Sequence, residues 1–148
     1  MITKNPGPDT ITIRLADWPV DAVAIRAVRR QVFVVEQNVP EELEWDQQDA
    51  QCVHAVAIAL DGTIVATGRL LADGHIGRMA VLKAWRGQYI GSAVLKLLVV
   101  HSQQRGLSEV VLSSQVQAIP FYQHHGFVVE GSEYMEAGIL HQDMRKKL

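Results

Sequence analysis

Residues 76–98 constrain the fold more than any other stretch of the chain. Ile76 to Leu82 is an apolar run that reads as a strand. Ile90, Val94, Leu97 and Leu98 recur at the spacing of a helix with one buried face. Between them lies Trp85-Arg86-Gly87-Gln88-Tyr89-Ile90-Gly91-Ser92, so the order is strand, glycine-containing turn, helix. The first N–H groups of such a helix lack intrahelical partners, and the positive end of its dipole lies there. An anionic phosphate is the natural guest. Gly87 and Gly91 let a ligand approach the backbone, and Arg86 adds a fixed positive charge. A nucleotide P-loop needs G-x-x-x-x-G-K-[ST], but Gly87 and Gly91 are only four apart and no Lys follows Gly91. The dinucleotide pattern G-x-G-x-x-G is also absent.

A chain of 148 residues is expected to form one domain with a substantial core. Residues 1–10, with Pro6, Gly7 and Pro8, are expected to be a flexible tail, and 11–148 the domain. The net charge of −2 offers no basic surplus for nucleic acid. No apolar run approaches the ~20 residues that span a bilayer, and the N-terminus has no signal-peptide core, so no membrane partner is expected. The single cysteine, Cys52, fits a reducing compartment, and a cytoplasmic location is expected.

The remaining elements follow from periodicity and turn chemistry. Ile11 to Leu15 alternates as a strand. Asp17 is placed to cap a helix running from Val20 to about Val35, with Pro19 in its first turn and Arg26, Arg29 and Arg30 on a solvated face. Val53–Leu60, Thr63–Leu71 and His75–Leu82 are expected as three antiparallel strands, joined at Asp61-Gly62 and Asp73-Gly74. By alternation His75 and Arg78 face opposite sides, and Arg78 is a candidate either to touch ligand or to pair with a buried carboxylate. Glu109 to Leu112 is a short strand expected to pair parallel after a helix crossover. Gln115 to His125 reads as a short helix, followed by strands from Phe127 and from Ile139 to Met144.

Residues 36–52 form a polar connection within a span, Gln31 to Gly68, that has no Lys or Arg. That span carries Glu36, Glu41, Glu42, Glu44, Asp46, Asp49 and Asp61. A field of one sign concentrates cations, so the connection is either a gatherer of an amine-bearing substrate or a plain solvated loop.

Two motifs together resemble the GNAT superfamily of N-acetyltransferases. Arg86, Ile90 and Gly91 fit its acyl-CoA pyrophosphate loop, R/Q-x-x-G-x-G/A, with Tyr89 where the first glycine would be. Tyr89 must therefore point its side chain away from the pyrophosphate, or the loop must shift. Ala118-Ile119-Pro120-Phe121-Tyr122-Gln123-His124-His125-Gly126-Phe127 matches A-x-x-[FL]-Y-x-x-x-G-F. More narrowly, Arg30 to Gln37, the connection to Asp49 and His54, Ile76-Gly77-Arg78, and Glu136-x-Gly138-Ile139-x-His141-x-x-Met144 look like the ElaA-type branch.

The resemblance implies an α/β domain. It would have a mixed, mostly antiparallel twisted sheet of six to seven strands flanked by helices, with a splayed parallel pair at the acyl-CoA groove. It implies direct acetyl transfer from acetyl-CoA to a small-molecule or protein amine, with homodimers common in the superfamily. The non-catalytic alternative is an acyl-CoA-binding sensor or assembly module. Met79, Ala80, Val81, Arg86, Gly87, Gln88, Tyr89, Ile90, Gly91, Ser92, Gln115 and Tyr122 would hold the acyl-CoA. Tyr122 would also protonate the departing sulfur. Because an alkylammonium cannot attack, a base is needed; Glu36, Glu44, Asp46, His54, His75 and His141 are candidates, with His141 first because it matches the branch motif. Phe33, Glu36, Asp46, His54 and His75 would surround the acceptor. No ligand spacing for a metal is present.

Overall fold

The structure is a computed structural model that describes residues 11–148. The expected N-terminal tail lies outside the described residues. Seven strands form one sheet: β1 (Ile11–Leu15), β2 (Val53–Ala59), β3 (Ile64–Leu70), β4 (His75–Val81), β5 (Glu109–Gln115), β6 (Val128–Glu136) and β7 (Ile139–Lys147). Their spatial order is β1-β2-β3-β4-β5-β7-β6. Every neighbouring pair is antiparallel except β4 with β5. The expected turn chemistry holds at Asp61-Gly62, where Gly62 has φ +88° and the Asp61 carboxylate accepts the Thr63 N–H at 2.9 Å.

The parallel pair is short. Only His75 with Val111 and Ile76 with Leu112 are partners, and beyond them the strands part. A bulge explains the parting: β3 and β4 shift register between Thr67 and Arg69, and Arg78 takes φ +50°. An extra residue of this kind bends its strand and increases its twist. The bulge also breaks alternation, so His75 and Arg78 line one cavity rather than facing opposite sides.

Helices cover the two faces of the sheet. On one face α3 (Ile90–Gln104) sets Val94, Leu95 and Leu98 on Ala55, Ala57, Leu70, Val110 and Leu112. Gly68 permits this approach, because a Cβ there would meet Leu98 Cδ1 at 3.0 Å and Val94 Cγ1 at 3.1 Å. The short helix α4 (Ile119–His124) adds Tyr122 to the same core. On the other face α1 (Trp18–Arg29) packs Ile25 and Val28 against Val56, Ile64 and Ala80. Full burial of residues such as Ile25, Leu95 and Leu98 contributes about 1.5–3 kcal/mol each. A one-turn helix, α2 (Glu41–Glu44), lies in the polar connection. No described helix is long and apolar enough to cross a membrane.

Four local expectations are corrected. Asp17 stands at the start of α1 but its side chain caps nothing; instead the Asp21 carboxylate accepts the Asp17 N–H at 2.8 Å and pairs with Arg14. The helix is not uniform to Val35, because Arg30–Glu36 is π-helical and closes with a Gln37 N–H to Val32 carbonyl bond of 3.2 Å. Arg29 is not on a solvated face: its exposure is 0%. Residues 113–115 continue β5, and a 3₁₀ turn at Val116–Ala118 precedes α4, so the expected helix starts late.

Candidate active site

The parting of β4 and β5 opens a cavity of about 710 Å³. Gly77 and Met79 of β4 form one wall, and Ser113 and Gln115 of β5 the other. Phe33 from the π-helical turn, Glu44 from α2, Tyr122 and His141 complete its lining. The cavity thus collects residues more than 100 positions apart in sequence, from Phe33 to His141.

Tyr122 enters from α4, whose ring neighbours Phe121 and Phe127 stand edge-on at 5.0 and 5.8 Å. Its hydroxyl has no hydrogen-bond partner among the described residues, and burial pushes its pKa up to about 12. The phenol is therefore a proton donor that stays protonated at any ordinary pH. His141 sits on β7, opposite Gln115 of β5 and Tyr134 of β6. Its Nδ1 donates to the Ile139 carbonyl at 2.7 Å, which leaves Nε2 to take a proton. The Glu136 carboxylate lies 3.6 Å from Nε2, placed to stabilise an imidazolium. Gln115 itself donates to the Gln37 side chain at 2.8 Å, joining the fork to the end of the π-helical turn.

The loop before α3 is open for anions. Among the described residues, the backbone N–H groups of Gly87 to Ser92 donate to no protein acceptor, and the first bond of α3 runs from Ala93 N–H to the Tyr89 carbonyl. Gly87 has φ +76° and Tyr89 φ +63°. Tyr89 thus supplies the left-handed backbone that glycine supplies elsewhere, and its side chain is 78% exposed. Arg86 is already engaged: Nε donates to the Val81 carbonyl at 2.9 Å, and both Nη atoms pair with the Glu36 carboxylate at 2.6 and 2.8 Å. That guanidinium holds Glu36 below the usual carboxylate range. Ser92 bonds His125 at 2.9 Å, which ties the loop to α4. Buried Gln88 Oε1 has no partner among the described residues.

Comparison with known proteins decides the family. The family model described as an acetyltransferase (GNAT) domain matches residues 17–148. The chain belongs to the GNAT acetyltransferase family. It is 37% identical to the uncharacterised N-acetyltransferase YjcF of Bacillus subtilis (strain 168), over 80% of this chain and 87% of YjcF. The structure of an acyl-CoA N-acyltransferase from Pseudomonas aeruginosa superposes with a TM-score of 0.81 at 30% identity, covering 92% of this chain and 99% of the other. Escherichia coli ElaA superposes at 0.80 with 29% identity, over 92% and 99%. The sheet with its single parallel pair is the GNAT fold, and the chain is a GNAT-family N-acetyltransferase.

In this GNAT domain the expected acceptor residues divide into two groups. Phe33 and His75 line the cavity, with His75 also 2.9 Å from Asp73. Glu36, Asp46 and His54 do not line it. Glu36 is held by Arg86. Asp46 faces Arg69 and Arg78 at 2.9 and 3.5 Å. His54 is buried, stacked on Trp18 at 4.4 Å, and bonded through Nε2 to the Asp49 carbonyl at 2.8 Å; burial lowers its pKa and keeps it neutral.

Apart from the pairing of Arg78 with a buried carboxylate, sequence reasoning missed the network beneath the cavity. Arg29 pairs with Glu44 and Asp49 at 2.8 Å each, Arg69 with Asp46 and Asp49, and Arg78 with Glu44 at 3.2 Å. Trp45 lies over the Arg29 guanidinium at 5.3 Å. Three arginines balance three carboxylates, so the connection presents much less of an acidic field than its sequence promised. Burial raises the pKa of Glu44 against the pull of its arginines; at Asp46 burial is outweighed by the Gln48 N–H together with Arg69 and Arg78, and at Asp49 by Arg29 and Arg69, so both are lowered. The signal available was Arg69 itself, a lone charge within the apolar run Ile64 to Leu71.

Proposed function

We propose that this GNAT protein moves an acetyl group from acetyl-CoA directly to a primary amine. The observation that carries the reading is that Tyr122 and His141 line the same cavity, beside the place where β4 parts from β5. The chain's residues fit acetyl-CoA: the unbonded N–H groups of Gly87 to Ser92 would take the pyrophosphate. The free edge of β4 at Met79, Ala80 and Val81, with Gln115 opposite, would take the arm that carries the acetyl group. Bound there, acetyl-CoA supplies an activated thioester.

The other tasks fall to the protein. His141 Nε2 takes the proton that an alkylammonium must lose before it attacks. Backbone N–H groups on the free β4 edge stabilise negative charge on the thioester oxygen. Tyr122 gives its proton to the leaving sulfur. Of the candidate bases, Glu36, Asp46 and His54 do not line the cavity, His75 sits beside Asp73, and Glu44 has its carboxylate held by Arg29 and Arg78, so the role goes to His141. Cys52 takes no part: it does not line the cavity, its thiol bonds the Gln48 carbonyl, and burial raises its pKa.

The test is thiol release from acetyl-CoA across a panel of primary amines, with thermal shifts by acetyl-CoA, CoA, ATP and NAD alongside. A saturable shift with the CoA compounds alone, and amine-dependent thiol release lost in Tyr122→Phe, is the expected result. No shift with CoA compounds at millimolar concentration overturns it.

A further inference from the structure

The cavity wall nearest the buried ion network has unused hydrogen-bond donors. Arg69 is 5% exposed and lines the cavity. Its contacts with Asp46 at 2.9 Å and Asp49 at 3.0 Å are all made by Nη1. Nε is buried and has no partner among the described residues, and Nη2 forms no hydrogen bond there either. The idle Nε–Nη2 edge is the side of a guanidinium that receives a carboxylate through two parallel hydrogen bonds.

Space lies beside it. Gly77 is the β4 partner of Arg69, so the two residues point to the same side of the sheet. A Cβ built on Gly77 meets nothing within 4 Å. Arg78 adds a second, half-buried cation to the same wall. The carboxylate on this side, Glu44, is already paired with Arg29 and Arg78. A purely cationic acceptor finds no free carboxylate on this wall; the unburied acid of the cavity is Glu136, beside His141. The cavity is therefore polarised, with donors at Arg69 and an acid and a base at Glu136 and His141.

We propose that the acceptor is an amino carboxylic acid whose carboxylate docks on the free edge of Arg69 over Gly77 while its amine faces His141. This rests on the acetyl-transfer reading above and names the substrate class of that site. Arg69 here is a specificity-determining residue, and the amine remains the nucleophile.

The test compares amino acids of increasing chain length with their carboxamides and with the matching decarboxylated amines. Each is titrated calorimetrically into the protein with and without CoA, and each is run as an acceptor in the thiol-release assay. The expected result is that at least one acid binds about tenfold or more tightly than its amide. Arg69→Lys keeps a charge beside Asp46 and Asp49 but lacks the fork, and Gly77→Val fills the space above it. Both are expected to bring acid and amide to within about threefold of each other. Gly77→Val carries the test where Arg69→Lys fails to fold. Equal or tighter binding of amides or diamines, no binding of any amino acid, or an acid preference that survives Gly77→Val overturns the inference. Acid-selective binding without thiol release from any acceptor would instead overturn the acetyl-transfer reading and leave the site standing.

Discussion

Gln115 of β5 and His141 of β7 are register partners, three positions beyond Leu112, the last β5 residue still paired with β4. The ladder that β4 has left is still held on its other side by β7. His141 is thus fixed by an intact antiparallel pair while it faces the gap. Replacing it with Gln keeps a strand-compatible polar residue and removes the proton acceptor. His141→Gln is expected to lower kcat by about 10²-fold or more. Binding of CoA, measured calorimetrically, should not change; a matching loss of CoA affinity would make His141 a structural residue.

Tyr122→Phe removes one oxygen from a buried ring and leaves its edge contacts with Phe121 and Phe127. A kcat loss of about 10²–10⁴-fold with CoA affinity kept is the expected outcome. The phenol also bears on stability. Its folded-state pKa, about 12, lies above the ordinary value of 10, so the folded state retains the proton longer than the unfolded chain. Its contribution is whole below about pH 10 and is lost as pH rises toward 12. In urea melts across that range wild type should lose stability relative to Tyr122→Phe, which has no group to ionise.

Arg29 holds two carboxylates that water does not reach. Arg29→Met leaves Glu44 and Asp49 each short of a counter-charge, although Arg78 and Arg69 still approach them. A loss of about 3–5 kcal/mol is expected. Scanning calorimetry should show the midpoint fall by about 6–20 °C. A change under 1 kcal/mol would show that water or the remaining arginines compensate.

The Arg86–Glu36 pair is exposed enough that its own stability is small, about 0–1 kcal/mol. Its effect should be on affinity. Arg86→Ala is expected to raise the KM for acetyl-CoA about tenfold. Glu36→Ala frees the guanidinium and should lower or preserve it. A rise in KM for Glu36→Ala would mean that the pair acts as a unit, holding Arg86 in place.

Tyr89 occupies a left-handed conformation that costs a side-chain-bearing residue about 1–2 kcal/mol. Tyr89→Gly relieves that cost but adds unfolded-state freedom worth about 0.5–1 kcal/mol. Chemical denaturation should show stability unchanged or raised by up to about 1.5 kcal/mol. A larger loss would show that the exposed ring has a packing role.

Local pattern made most of the sheet legible. Turn chemistry located the β2–β3–β4 meander, and a glycine turn before an apolar helical face located α3. The glycine loop before α3 and the motif around Tyr122 could be picked out for the same reason: their residues are consecutive. Beyond the pairing of Arg78 with a buried carboxylate, the ion network was not legible, because charge runs show composition and not partners. The span from Gln31 to Gly68 has no cation of its own, yet Arg29 precedes it and Arg69 and Arg78 follow it. Those residues meet through tertiary packing across 15 to 34 positions. The bulge at Arg78 was equally hidden at residue level, since strict alternation assumes an unbroken ladder.

The two-residue union of β4 and β5 makes the sheet behave as two ribbons sewn at one end. An unpaired strand edge is ordinarily a hazard, open to any passing chain. Here it lies inside a sheet, flanked by the other arm of the fork and backed by α3 and α4, where another protein's strand cannot easily reach it. The same gap admits something narrower than a strand. A slender ligand that carries its own amides can act as the missing thread, completing the weave for as long as it is bound and loosening it on leaving.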